Sequence, residues 1–144
     1  METFIAAPVA AVFEASLDVD AHVASMADSG EEAVGGVTSG TMGLGETVTW
    51  RAKHFGITWR MTSKITEMDR PRRFVDEQLR GPFHKFWHEH LFEAEDGGTR
   101  MVDRIEFDAP FGILGDLTER VILGSYLEKL IAERNEFLRE NLER

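Results

Sequence analysis

Cysteine is absent from the 144-residue chain, and this absence excludes several classes of protein. Without thiols the chain can form neither a disulfide scaffold nor a thiolate metal site, and it has no cysteine nucleophile. The sequence also contains no apolar run near the roughly 20 residues that a membrane-spanning helix needs. We therefore expect no membrane insertion and a soluble, cytoplasmic protein.

Positive charge is scarce as well, with 16 Lys and Arg residues against 26 Asp and Glu residues and a net charge of −10. Such a surface repels phosphate backbones and anionic head groups, so we expect no nucleic-acid partner. A small neutral or apolar molecule is a better match. Phosphate-binding loops and the short hydrolase and zinc-protease motifs are missing too, and we expect no cofactor.

Length and composition indicate one globular domain over residues 1–144. The chain is 42% hydrophobic, which is enough to form a core, and it is too short for two well-packed domains. An apolar segment near the N-terminus, "FIAAPVAAVF", follows Glu2 rather than a basic leader and is interrupted by Pro8. We therefore expect it to belong to the fold and not to a signal peptide.

The hydrophobic periodicity predicts an α+β fold. Apolar residues alternate with period two through most of the middle of the chain, between turns rich in Gly and Pro, which predicts an antiparallel meander. A long amphipathic helix follows, and we expect a curved antiparallel sheet wrapped around it. The predicted elements are a strand at Glu2–Ile5, two short helices at about 9–17 and Asp20–Ala27, strands between Val37 and Asp108, and a helix from about Leu114. We predict the intervening "DSGEEAVGG" to be a break.

Three of the five histidines fall in "GPFHKFWHEHLFE", residues 81–93. If Ala94 faces Thr99 across the "EDGG" turn, His90 lies opposite Asp103 and His88 opposite Ile105. A two-residue slip would place Asp103 opposite His88 instead, and in either register Asp103 and the two histidines share a face. Apolar residues share this parity, so it is predicted to be the inner face. A carboxylate buried there needs a partner.

These groups allow three interpretations. His88 or His90 could simply satisfy Asp103 within a core, could orient a polar group of a bound molecule, or could act with Asp103 as a general base. A metal site is not predicted. Its third ligand would be His84, Asp103 or His54, and none of them has a convincing spacing.

Several segments resemble the START-like helix-grip superfamily (SRPBCC), and within it the polyketide cyclase/dehydrase-like ligand-binding branch. The segments are "IAAPVAAVF" (5–13), "ITEMDRPRRFVDEQLRGPF" (65–83), the alternating "FWHEHLF" (86–92), "GGTRMVDRIEFDAPFG" (97–112) and the terminal helix. The resemblance implies a helix-grip fold with a hydrophobic pocket between the concave face of the sheet and the long helix. Members use such pockets for lipids, sterols or aromatic polyketides, and a minority catalyse ring closure or dehydration.

The leading hypothesis is therefore a protein that binds a small hydrophobic molecule, whether lipid, isoprenoid or aromatic polyketide-like. The rival is a cyclase or dehydratase whose catalytic candidates are His88, His90 and Asp103, and a third option is self-association, for example as a homodimer. Large side chains such as Trp50 serve equally well as plain core or as pocket wall. The predicted pocket residues are Trp50, Trp59, Met61, Phe74, Phe86, His88, His90, Asp103, Ile105, Leu117, Val121 and Gly124.

Overall fold

The fold is that of a computed structural model, which describes residues 1–108 and 116–144 except for the side chains of residues 116, 117 and 119. One antiparallel sheet of seven strands has the order β1-β7-β6-β5-β4-β3-β2. The strands are β1 (Glu2–Ile5), β2 (Glu32–Gly36), β3 (Thr47–His54), β4 (Ile57–Asp69), β5 (Arg73–Arg80), β6 (Lys85–Glu95) and β7 (Gly98–Asp108). The helices are α1 (Val9–Ser16), α2 (Val19–Ser25), a 3₁₀ turn (Ala27–Ser29) and α3 (Asp116–Leu142).

This arrangement confirms the predicted α+β helix-grip plan, in which two short helices follow the first strand and a long helix closes the chain. The predicted start of that helix, near Leu114, lies outside the described residues. Among the helices that the structure describes, none has a stretch long and apolar enough to cross a membrane.

The pairing of β6 with β7 follows the first of the two registers that the sequence allowed. Ala94 lies opposite Thr99, His90 opposite Asp103 and His88 opposite Ile105. Because side chains alternate between the two faces of a strand, this register places the histidines and Asp103 on the same face.

The prediction of a break after α2 was wrong in part, because Glu32–Gly36 forms the edge strand β2 and pairs with β3 through a bulge. Its two glycines and short length hide it from a search for alternation. Gly36 is required there: its φ is +66°, and a Cβ atom would lie 2.2 Å from the carbonyl oxygen of Thr47. The glycines that suggested a loop therefore serve the close approach of an edge strand.

The packed core lies beside α1 and the last turns of α3. The Phe13 ring makes edge-to-face contacts with Phe74 and Phe92, at centroid distances of 5.7 and 5.3 Å. Leu138 of α3 joins the same cluster. Farther toward its N-terminus α3 stands over the sheet without filling the space beneath it, and this gap forms a cavity.

Candidate functional site

The cavity has a volume of about 280 Å³ and lies between the inner face of β3–β7, α2 and the middle of α3. Strand residues supply the largest share of its wall, because every second side chain of each strand points inward. The α3 residues that close it are Leu123, Tyr126, Leu127, Leu130, Ile131 and Arg134. Spacings of three and four residues give the helix this apolar stripe, which ends at a buried cation.

Most of the residues predicted for the pocket are found at its wall, and three of the described ones are not. Among the described residues, Asp103 lies behind the wall rather than in it, and Gly124 lies outside it. Val121 also lies outside the wall and is 60% exposed. The side chain of Leu117 lies outside the described part of the chain. The predicted residues that line the cavity are Trp50, Trp59, Met61, Phe74, Phe86, His88, His90 and Ile105.

Two stacked imidazoles between two carboxylates form the polar end of the cavity. The rings of His88 and His90 lie 3.7 Å apart at an angle of 24°. On one side, Asp103 Oδ1 accepts a hydrogen bond from His88 Nε2 at 2.8 Å and lies 3.5 Å from His90 Nδ1. On the other side, Asp76 Oδ2 lies 2.6 Å from His90 Nε2 and 3.9 Å from His88 Nδ1. Each carboxylate therefore faces both rings.

Two side chains of α3 form hydrogen bonds with Asp103. Arg134 donates to its Oδ1 at 2.6 Å, and Asn135 donates to its Oδ2 at 2.8 Å. Asn135 also lies 3.1 Å from the hydroxyl of Thr3 on β1, so this contact connects the helix to the edge strand. Only 1% of the Asp103 side chain is exposed, against 19% for Asp76. Asp76 is therefore the carboxylate that a bound molecule can reach.

Burial sets the protonation of this cluster. Burial lowers the pKa of His88 to about 4 and that of His90 to about 3, with His90 and Arg134 respectively as the next contributors. Burial alone would raise the pKa of Asp103, but Arg134 and the bond from His88 outweigh it, and the pKa lies well below its usual range. Burial raises the pKa of Asp76. At neutral pH both imidazoles are uncharged and Asp103 is ionised.

Asp76, His88 and His90 also form the one group within the described residues that could hold a metal ion, with ligand atoms within 4.8 Å of one another. The geometry suits a metal poorly. Lone pairs lie in the plane of an imidazole, so two nearly parallel rings direct them side by side instead of toward one point. Arg134 adds positive charge nearby.

A second polar group lines another part of the wall. His22 of α2 lies 2.8 Å from Glu31 and packs against Trp50, with ring centroids 4.3 Å apart and the ring planes tilted by 38°. Nδ1 of His54 lies 2.6 Å from the hydroxyl of Tyr126. All five of these residues line the cavity, so it has polar groups in two places and an apolar wall between them.

Sequence reasoning missed Asp76, Arg134 and Asn135. Asp76 could have been found, because it lies two residues after Phe74 in a strand and so faces the same side. Arg134 and Asn135 gave no such signal. They lie among charged residues of a helix whose rotation about its axis depends on the packing of the whole domain.

Comparisons with known proteins agree with this architecture. The family model described as "Polyketide cyclase / dehydrase and lipid transport" matches residues 1–143. The Zhui aromatase/cyclase from Streptomyces sp. R1128 superposes with a TM-score of 0.74 at 18% identity, over 100% of this chain and 92% of that one. No curated protein matches the sequence significantly.

Two further crystal structures share the fold. Protein CV1439 from Chromobacterium violaceum has a TM-score of 0.72 at 14% identity, covering 100% of this chain and 95% of that chain. TTHA0849 from Thermus thermophilus has a TM-score of 0.69 at 23% identity, covering 99% of this chain and 92% of that chain. At these identities the likeness is one of fold alone.

Proposed function

Because the chain belongs to the polyketide cyclase/dehydrase and lipid transport family, we propose that it binds a small hydrophobic molecule in the cavity between the sheet and α3. The observation that carries the proposal is the contrast along α3. Near Leu138 the helix packs on a filled core, whereas between Leu123 and Arg134 it covers a hollow. Protein interiors are normally close-packed, so a persistent hollow with an apolar wall points to an occupant.

The apolar wall supplies the binding free energy. Removing apolar surface from water contributes roughly 25 cal/mol per Å², so a ligand that buries about 200 Å² gains roughly 5 kcal/mol before the costs of association. Trp50, Trp59 and Phe86 offer flat faces to an aromatic or isoprenoid body. The imidazole and carboxylate groups give orientation rather than most of the affinity.

Size narrows the class of ligand. Small-molecule pockets occupy about 300–1,000 Å³, and this cavity, at about 280 Å³, lies at the lower limit. It suits a molecule of two or three fused rings, or a short isoprenoid. A lipid with two acyl chains is too large.

Native mass spectrometry of freshly purified protein, followed by displacement of a neutral hydrophobic dye, tests the proposal. Trp50→Ala removes an aromatic face from the wall, and the expected dye affinity falls at least about tenfold. Trp87→Ala is the matched control, because Trp87 has the opposite parity in β6 and is absent from the wall. Its dye affinity should stay unchanged. Absence of binding by any hydrophobic probe, or equal losses in both variants, would refute the proposal.

The same site supports a second candidate function, a cyclase or dehydratase. The observation that favours it is the pair of imidazoles between Asp76 and Asp103. In a dehydration, a neutral imidazole would remove the proton from a C–H bond next to a carbonyl. Asp76 in its protonated form would give a proton to the departing hydroxyl, which leaves as water while the C=C bond forms.

The enzymatic candidate has a distinct signature. We expect a bell-shaped pH profile with a β-hydroxy-carbonyl aromatic substrate, and loss of turnover in His88→Gln and in His90→Gln with dye binding retained. Turnover that survives both substitutions, or that disappears together with dye binding, would contradict a catalytic role for the pair.

A further inference from the structure

With both of its carboxylates ionised, the polar cluster at the end of the cavity has one negative charge more than its own residues neutralise. Its ionisable groups are the carboxylates of Asp76 and Asp103, the guanidinium of Arg134 and two imidazoles. Both imidazoles are uncharged at neutral pH. With both carboxylates ionised, the sum is therefore −1, and a buried charge of this kind requires a proton or a cation.

The carboxylate whose negative charge is not neutralised is that of Asp76. Asp103 has Arg134 at 2.6 Å, Asn135 at 2.8 Å and His88 at 2.8 Å. Within the described residues, the nitrogens that pair with Asp76 belong to two neutral imidazoles, at 2.6 and 3.9 Å. Burial, with a smaller contribution from Asp103, raises the pKa of Asp76 despite the opposing effect of His88, Arg134 and His22. The accessible carboxylate is thus the uncompensated one.

No other basic side chain of the cavity supplies the charge. Among the described residues, Arg134 is the only Lys or Arg in the wall. Its guanidinium already forms an ion pair with Asp103. The sequence adds none elsewhere, since residues 109–117 and 119 contain neither Lys nor Arg. The wall does contain two more carboxylates, Asp18 and Glu31.

Resting on the hydrophobic-ligand function proposed above, we propose that the ligand is an organic cation, a flat hydrophobic body with an ammonium group that pairs with Asp76. Ser63 supports this assignment independently. It lines the cavity, is 4% exposed, and its hydroxyl oxygen has no hydrogen-bond partner. Ile65 lies opposite Asp76, so Ser63 is a diagonal neighbour on the same face and can accept from the ammonium. The aromatic faces of the wall also attract a cation.

Three probes with the same ring system test the charge preference. They are 1-naphthylmethylamine, which is protonated at neutral pH, neutral 1-naphthylmethanol and anionic 1-naphthoate. Competition against a neutral dye is measured at about 0.15 M salt, where attraction from distant surface charge is largely screened. We expect the ammonium to bind at least about tenfold tighter than the alcohol, and the naphthoate to bind weakest.

Asp76→Asn keeps the shape of the side chain and removes its charge. We expect the ratio between the affinities for the ammonium and for the alcohol to fall to about one. Asp96→Asn, at an exposed turn between β6 and β7, removes the same formal charge and should keep the wild-type ratio. The wild-type ranking is itself a test if Asp76→Asn fails to fold.

The outcomes separate this inference from the proposed function. Equal binding of all three probes by the wild-type protein overturns the ammonium assignment and leaves the hydrophobic site intact. Binding of no probe and no dye overturns the proposed function as well. One equivalent of Zn²⁺ bound by wild type and not by Asp76→Asn, with no preference among the probes, would assign the missing charge to a metal and overturn the proposal.

Discussion

The hydroxyl of Tyr126 on α3 lies 2.6 Å from Nδ1 of His54, the last residue of β3. The ring of Phe55, at the tip of the β3–β4 hairpin, packs on Tyr126 with centroids 4.6 Å apart. Burial lowers the pKa of His54, so at neutral pH the imidazole is uncharged and its Nδ1 can accept a hydrogen bond from the Tyr126 hydroxyl. These contacts join the hairpin tip to the helix at the wall of the cavity.

Tyr126→Phe should reduce the free energy of unfolding by about 0.5–1.5 kcal/mol, the usual range for one hydrogen bond. It should also speed the release of a bound dye, because the hairpin loses its hydrogen bond to the helix. A double-mutant cycle with His54→Ala, followed by urea unfolding and stopped-flow release, measures the coupling. Ser125→Ala, at the exposed neighbouring position, should change neither quantity. Additive effects of the two substitutions would show that the coupling free energy between Tyr126 and His54 is zero.

Arg134→Met should destabilise the fold strongly. Asp103, with 1% of its side chain exposed, would lose its guanidinium partner, and removing one member of a buried ion pair typically costs about 3–5 kcal/mol. Chemical denaturation at neutral pH measures the loss. Reversal of the defect by adding Asp103→Asn would identify the stranded carboxylate as its cause.

The control for that experiment lies one turn farther along the helix. Arg139 pairs with Glu136 at 2.5 Å, but both side chains are nearly half exposed. Exposed pairs contribute about 0–1 kcal/mol, so Arg139→Met should have little effect. Comparable losses from the two arginine substitutions would contradict the assigned role of Arg134.

Stability should fall as the solution is acidified below neutrality. The pKa of His88 is lowered from 6.5 to about 4 and that of His90 to about 3. Below 6.5 the unfolded chain therefore binds protons that the folded chain does not, until the pH reaches those lower values. Each histidine then removes up to about 1.4 kcal/mol per pH unit. Asp76 acts in the opposite direction between pH 3.8 and its raised pKa, so the net slope is smaller over that interval.

Urea unfolding at several values between about pH 7 and pH 5 gives this slope. His88→Gln should lower it by the contribution of one proton, whereas His84→Gln, at an exposed position, should leave it as in wild type. A free energy of unfolding that stays constant over this range would show that the two imidazoles are not buried in the neutral form.

Filling the cavity should abolish dye binding at little cost in stability. Ala52 lines the hollow and is 7% exposed, so in Ala52→Phe the new ring has room, and we expect a change below about 1 kcal/mol. Ala7 is equally buried, at 8%, but lies in the packed cluster. Ala7→Phe should cost about 1–3 kcal/mol and spare the dye site. The reverse ranking would mean that the hollow is not open.

The local pattern predicted much of the fold because it depends on neighbours in sequence. Alternation placed His88, His90 and Asp103 on one face in either of two registers, and the structure has the register with His90 opposite Asp103. The same reasoning missed β2, whose pairing with β3 depends on glycines and a bulge instead of a repeating pattern. It found wall residues where large aromatic side chains occupied the inward parity of a strand, as at Trp50 and Trp59, and it missed Ile65 on the same face of β4.

By itself, the sequence determined which face each strand residue occupies, that a long amphipathic helix closes the chain, and that the excess charge is negative. Only the tertiary structure decided which carboxylate is neutralised. The guanidinium that pairs with Asp103 comes from Arg134, 31 residues farther along the chain, and no local period encodes that meeting. Electrostatic pairing in a buried site depends on distances of a few ångströms between elements, and these are set by how the helix packs on the sheet. Asp76 was left without a cation by that packing.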